Sequence, residues 1–278
     1  MEMAFEIELT EAAPASSDVL TATAWRDDRF DFWAFDRRLD VLVARGAPLR
    51  VSAPPELAPA VLSEIRTRGQ RLAPRRTAAT AGAWFDRVLA AHRALHDLDR
   101  PLVRADYDHA LDAWQWAVRR DAGAPRAVQL AVLLHDIERL ASEADARVEH
   151  LAADYQAFKD AHARAGARIA RGVLAQAGVP DALDDEVCAL IAVHERPSDD
   201  PALRAINDAD ALSFFSFNSP GYLAYFGPDR TAAKVAYTLA RMSEAARREL
   251  PALRMPAAVR VAIPELDEIE RHHRDHRA

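Results

Sequence analysis

From residue 78 to about residue 250, apolar residues recur at intervals of three and four. That period belongs to amphipathic helices packed against one another. Trp84, Phe85, Val88 and Leu95 form the first stripe. A helix over 104–120 follows, with Leu111, Trp114 and Val118 on its apolar arc and His109, Ala113 and Trp116 beside it. The stretch 121–125 contains Gly and Pro and breaks the pattern. The next apolar run ends in His135-Asp136, and Val128, Val132 and His135 fall at i, i+4 and i+7. Residues 143–151 are polar and read as a loop containing an exposed His150. Over 154–178, Tyr155, Phe158, His162, Ala165, Ile169 and Val173 share a face. Over 183–195, Val187, Ile191 and His194 do the same, and over 201–217 so do Leu203, Ile206, Asp210, Phe214 and Phe217. Between Asn218 and Pro228 the pattern predicts an aromatic loop with Tyr222, Tyr225 and Phe226. A last long helix, 229–250, carries one apolar stripe and a second one of Arg230, Lys234, Tyr237 and Arg241.

The first 76 residues read differently. Strands are expected at Phe5–Leu9 and Leu49–Ser52, with a helix within 25–43 and another over 56–69. A basic run, Arg66 to Arg76, closes this region and reads as a solvated surface. The end of the chain offers a strand, 259–263, and a charged tail with His272, His273 and His276. The expected organisation is therefore mainly α: a small α+β region over 1–76, a helical domain over 77–254, and a C-terminal strand and tail over 255–278.

Composition narrows the function. The 278 residues are half hydrophobic and 28% charged, as in an ordinary globular protein. The net charge of −7 argues against a nucleic-acid surface. One cysteine, Cys188, rules out an internal disulfide and a cysteine-based zinc site. No apolar run reaches membrane-spanning length, and the acidic N-terminus lacks a signal-peptide pattern, so a cytoplasmic location is expected.

Against that background six residues stand out. His109, His135 with Asp136, His162, His194 and Asp210 place imidazoles and carboxylates on otherwise apolar faces of five successive helices. Burying such groups costs several kcal/mol unless each is satisfied. One shared metal centre satisfies them together, and all-N/O donors suit iron or manganese, then zinc or magnesium. Six donors exceed the needs of one tetrahedral ion and fit two divalent ions bridged by Asp136. His96-Asp97, which ends its helix among charges, reads as a surface or capping pair.

The order His … His-Asp … His … His … Asp resembles the HD superfamily of metal-dependent phosphohydrolases. The resemblance covers about 104–216, with His109, His135, Asp136 and Asp210 in the core positions. His162 and His194 resemble the two extra histidines of the dinuclear branch, and Asp208-Ala-Asp-Ala-Leu212 its closing motif. The resemblance implies an HD-type helical bundle, two metal ions and hydrolysis of a phosphoester or phosphoanhydride in a small, nucleotide-like molecule. Asp136 and Glu138 are the candidate catalytic residues; Arg139, Lys234 and Arg241 are the candidate phosphate contacts. Glu138-Arg139 stands where many relatives carry Gly-Lys, so Arg139 would take the lysine's place. Two other functions share the ligand set: a mixed-valent diiron oxygenase and a non-enzymatic regulatory module. No membrane or nucleic-acid partner is expected, and a homodimer is compatible with the sequence.

Overall fold

The computed structural model describes residues 4–9, 22–23, 25–26, 29–30, 49–52, 77–80, 83–253, 255–264 and 266. In the N-terminal region, strand β1 (Ala4–Leu9) pairs antiparallel with β2 (Ala22–Thr23) and with β5 (Leu49–Ser52), in register Glu6 to Ser52. Two short strands, β3 (Trp25–Arg26) and β4 (Arg29–Phe30), pair with each other. The helix expected over 56–69, most of 25–43, the Arg66–Arg76 run and the histidine tail lie outside the described residues.

The described chain is mainly α-helical. It divides into two compact units: residues 75–214 with 233–246, and residues 1–74 with 215–232 and 247–278. The first unit contains α1 (Ala83–Ala94), α2 (Pro101–Arg120), α3 (Arg126–Leu134), α4 (Arg139–Ser142), α5 (Tyr155–Gln176), α6 (Asp181–Val193) and α7 (Pro201–Ser213). Helix α8 (Ser219–Phe226) belongs to the second unit, and α9 (Pro228–Arg241) runs from one unit into the other. Two short helices follow, α10 (Glu244–Arg247) and α11 (Ala257–Val261). Among the described residues no helix is long and apolar enough to cross a membrane.

Helix α3 is the centre of the first unit. Every residue from Ala127 to Leu134 is buried, and the helix packs on α2, α6 and α7. Its one polar interior residue, Gln129, accepts a hydrogen bond from Trp114 Nε1 (3.1 Å) and donates to the Ala124 carbonyl (2.8 Å) and Thr77 Oγ1 (3.0 Å). A helix buried all round is stable only when such groups are paired. Leu130, Leu133 and Leu134 are fully buried, each contributing about 2–3 kcal/mol.

The caps locate the site-bearing ends. Asp154 accepts from the Ala157 amide (2.9 Å) and starts α5. Gly178, at φ 70°, follows its end in the left-handed region that suits glycine. Asp200 accepts from Ala202 and Leu203 (2.8 and 3.1 Å), with Pro201 next, and starts α7. Gly166 lets α5 press against the end of α3: a Cβ there would lie 3.2 Å from the His135 carbonyl oxygen.

Several sequence expectations are corrected. The strand at 259–263 is instead α11: the amides of Val259 and Arg260 donate to the Pro256 carbonyl. Val259 and Ile263 are buried while Val261 is 86% exposed, a helical rather than an alternating pattern. The aromatic loop after Asn218 is α8, where Tyr222 and Phe226 meet at 4.4 Å, one turn apart, and Gly227 (φ 78°) ends the helix. The long helix 229–250 stops at Arg241 because Ser243 leaves it to bind Asp208, its amide to Oδ1 (2.7 Å) and its hydroxyl to Oδ2 (2.6 Å). His96 is buried, not superficial: its Nδ1–H donates to the His92 carbonyl (2.7 Å) and its ring packs on His92 and Tyr107. The polar stretch 143–151 carries two buried carboxylates, Glu143 and Glu149, and His150 is half-buried.

Candidate metal centre

The ends of α3 and α6, the middle of α2 and α5, and the last turn of α7 bring the six expected residues together. His109 Nε2 lies 3.1 Å from Asp210 Oδ1 and 3.9 Å from Asp136 Oδ2. His135 Nε2 lies 3.5 Å from Asp210 Oδ1 and 3.8 Å from Asp136 Oδ2. His162 Nε2 lies 2.9 Å from Asp136 Oδ1. The His194 ring centroid is 5.3 Å from that of His135 and 6.5 Å from that of His162.

Each imidazole is oriented by its outer nitrogen, and each uses a different acceptor. His135 Nδ1–H donates to the Val132 carbonyl (2.8 Å) and His194 Nδ1–H to the Ile191 carbonyl (2.7 Å). His162 Nδ1–H donates to Glu138 Oε2 (2.6 Å). The Ser213 hydroxyl donates to Asp112 Oδ2 (2.8 Å), which leaves its oxygen to accept from His109 Nδ1 (2.9 Å). All four rings therefore turn Nε2 toward the shared carboxylates. Fixing Nδ1 in this way selects the tautomer whose Nε2 carries a lone pair, the usual arrangement of metal-bound histidine. His135 Nε2 and His194 Nε2 are buried and have no hydrogen-bond partner. An orphaned ring nitrogen is costly unless an ion or water meets it.

The donors fit a metal. Three overlapping groups have ligand atoms within 4.8 Å of one another: His109, His135 and Asp210; His135, Asp136 and His194; and Asp136, His162 and Glu195. Glu195 was not among the expected residues. It follows His194 and lies at i+8 from Val187, so the same apolar stripe could have identified it.

Two buried cations, Lys159 and Arg241, and a partly exposed one, Arg139, hold the carboxylates from outside. Arg139 Nε donates to Asp136 Oδ2 (2.8 Å), and its other nitrogens pair with Glu143 (2.5 Å) and Glu149 (3.6 Å). Arg241 reaches Asp210 Oδ2 (3.0 Å) and Glu195 Oε2 (3.2 Å). Lys159 pairs with Glu195 Oε1. Of the three expected phosphate contacts, two are thus engaged with carboxylates of the centre. Lys234 differs: it is half-buried, and its ammonium lies 5.9 Å from the Phe214 ring centroid and 5.6 Å from that of Tyr237. Glu138 orients His162 and accepts from the Ser142 hydroxyl (2.8 Å). Asp208 lies outside the cluster, bound to Arg120 (3.1 Å) and Ser243.

The electrostatics are those of a cation site. Burial opposes charge on Asp136 and Asp210, yet Arg139 and His135 for the first, and His109, His135 and Arg241 for the second, hold both carboxyls well below the usual range. Burial also opposes protonation of His135, but Asp136 and Asp210 outweigh it and raise its pKa to about 9. Burial lowers His194 to about 4, with His135 adding to the effect and Glu195 opposing it. A field that draws a proton to His135 draws a metal ion equally.

No curated protein and no solved structure matches the chain. A family model described as a domain of unknown function, DUF4202, matches residues 86–263 and spans all six expected residues and Glu195. That match covers well over half of the sequence, and the chain belongs to the DUF4202 family.

Proposed function

We propose that this centre binds divalent metal ions, iron or manganese first, and hydrolyses a phosphoester or phosphoanhydride of a small, nucleotide-like molecule. The observation that carries the reading is the convergence of four imidazole Nε2 atoms on Asp136 and Asp210, each ring held by its own Nδ1 acceptor. The order of these residues, which resembles that of the HD phosphohydrolases, supports it. His109, His135, Asp136, His162, His194 and Asp210 would hold the metal. Bound there, the ions supply Lewis acidity and a water of lowered pKa.

The protein's own groups do the rest. Arg139 and Arg241 keep Asp136 and Asp210 ionised and fixed in direction. Glu138 holds His162 in one tautomer through Oε2, which also accepts from the Ser142 hydroxyl, and its other carboxylate oxygen would be the one to take up a proton. Lys234, whose ammonium lies over the Phe214 and Tyr237 rings and adds to the positive field at Glu195, would be the cation offered to a substrate phosphate. The apolar walls of α3 and α6 keep bulk water from the histidines. A cytoplasmic location accords with the single, buried Cys188.

The test is phosphate release from a panel of phosphomonoesters, nucleotides and dinucleotides by protein reconstituted with Mn²⁺ or Fe²⁺. Release that EDTA abolishes and fresh metal restores is the expected result. Metal-loaded protein that hydrolyses nothing in the panel would overturn the phosphohydrolase reading.

A further inference from the structure

The two sides of the centre are not equally ready for an ion. On one side, His135 and His194 present orphaned Nε2 atoms, and both share a ligand group with Asp136. On the other side nothing is orphaned. His162 has both nitrogens engaged, with Glu138 and Asp136. Glu195 has both oxygens engaged: Oε1 with the Lys159 ammonium, and Oε2 with Arg241 (3.2 Å) and the Tyr237 hydroxyl (3.2 Å). Lys159 and Glu195 are each 2% exposed. Lys159 stands one turn before His162 on the buried face of α5, and its ammonium is paired with Glu195 in the interior. A divalent ion bound by Asp136, His162 and Glu195 would share a low-dielectric space with that resident charge and compete with it for Glu195.

We propose that Lys159 is a built-in cation that sets the order of metal binding: one ion binds tightly at the His135 side, and a second binds at the Asp136–His162–Glu195 side only weakly, because Lys159 holds Glu195. This rests on the metal-binding reading above and adds to it a third carboxylate ligand, Glu195, and a resident ammonium. Lys159 is a positioning residue that acts through Glu195.

The experiment is a Mn²⁺ titration of the full chain, with free ion followed by electron paramagnetic resonance and bound ion by elemental analysis. The wild type is expected to bind one ion tightly and a second at least tenfold more weakly. In Lys159→Met the second constant tightens at least tenfold while the first stays within about threefold. In Lys159→Met/Glu195→Gln the second site weakens again, because the carboxylate that gains from losing its partner is itself gone. Circular dichroism checks folding, and Lys159→Gln gives the same readout if Lys159→Met does not fold. Two equal sites in the wild type, or an unchanged gap in the Lys159 variants, overturn the proposal. A wild type that binds no Mn²⁺ overturns the metal-binding reading itself, a distinguishable failure.

Discussion

Two groups of histidines lie in the same helical unit, and their surroundings make them different objects. His92 and His96 pack ring to ring (4.4 Å) against Tyr107, which stacks on His92 at 5.4 Å. No carboxylate bonds either ring among the described residues, and burial lowers the pKa of both. His109, His135, His162 and His194 are as deeply buried, but they surround Asp136 and Asp210; His135 and His162 are raised, while His194, held farther from the carboxylates, is lowered by burial as His92 is. Burial alone turns an imidazole into a neutral aromatic packing element. Burial around carboxylates that face inward, with each Nδ1 fixed, gives it the geometry that a cation ligand needs.

The comparison breaks most severely where the carboxylates lose their cations. Arg241→Met leaves Asp210 without its guanidinium and Glu195 with only Lys159 and the Tyr237 hydroxyl. Removing one partner of a buried ion pair costs about 3–5 kcal/mol. Denaturant unfolding of the metal-free variant should show a loss of that size, and a loss below 1 kcal/mol would mean that Arg241 is not structural.

A smaller effect sharpens the role of ring orientation. Glu138→Ala removes the acceptor of His162 Nδ1 but no expected ligand. Loss of such an outer partner weakens metal binding by about 10–100-fold. Calorimetric titration with Mn²⁺ should show this with unfolding stability nearly unchanged; equal affinity in both proteins would dismiss Glu138 as an orienting group.

The smallest effect belongs to the other histidine group. His92 has a folded pKa well below 6.5, chiefly through burial and then through His96 and His135. The unfolded chain therefore takes up a proton that the folded chain refuses. The stability His92 contributes is complete above about pH 6.5 and is lost as pH falls toward its folded pKa, by up to about 1.4 kcal/mol per pH unit. The raised histidines of the metal-free centre act in the opposite sense, so the informative quantity is the difference between wild type and His92→Gln. The stability of the wild type relative to His92→Gln should fall as pH drops from 7 to 5; a constant difference would mean that His92 takes up its proton as readily in the folded chain as in the unfolded one.

Much of the helical unit was legible in the sequence because a period of 3.6 survives without tertiary knowledge. It assigned His109, His135, His162, His194 and Asp210 to inward faces, and it separated Asp210 from Asp208. What it could not supply was pairing across elements. Arg139 and Arg241 read as free cations for phosphate, since a guanidinium and its carboxylate partner on another helix leave no joint mark in the sequence. Glu143 and Glu149 read as loop polarity for the same reason, although both meet Arg139 in the interior. Glu195 and Lys159 were passed over as ordinary charged residues, despite lying on the stripes of His194 and His162. At 259–263, three alternating aliphatic residues suggested a strand, whereas Pro256 and the i, i+4 burial of Val259 and Ile263 made a helix.

The central claim is that the converging Nε2 atoms form a metal site, and metal content tests it most directly. The full chain, incubated with Mn²⁺, Fe²⁺ or Zn²⁺ and freed of unbound ion, should retain at least one ion per chain. His135→Ala and His194→Ala, folded by circular dichroism, should retain less than a tenth of that. A wild type that retains no metal, or a His135→Ala variant that retains as much as the wild type, would contradict the account.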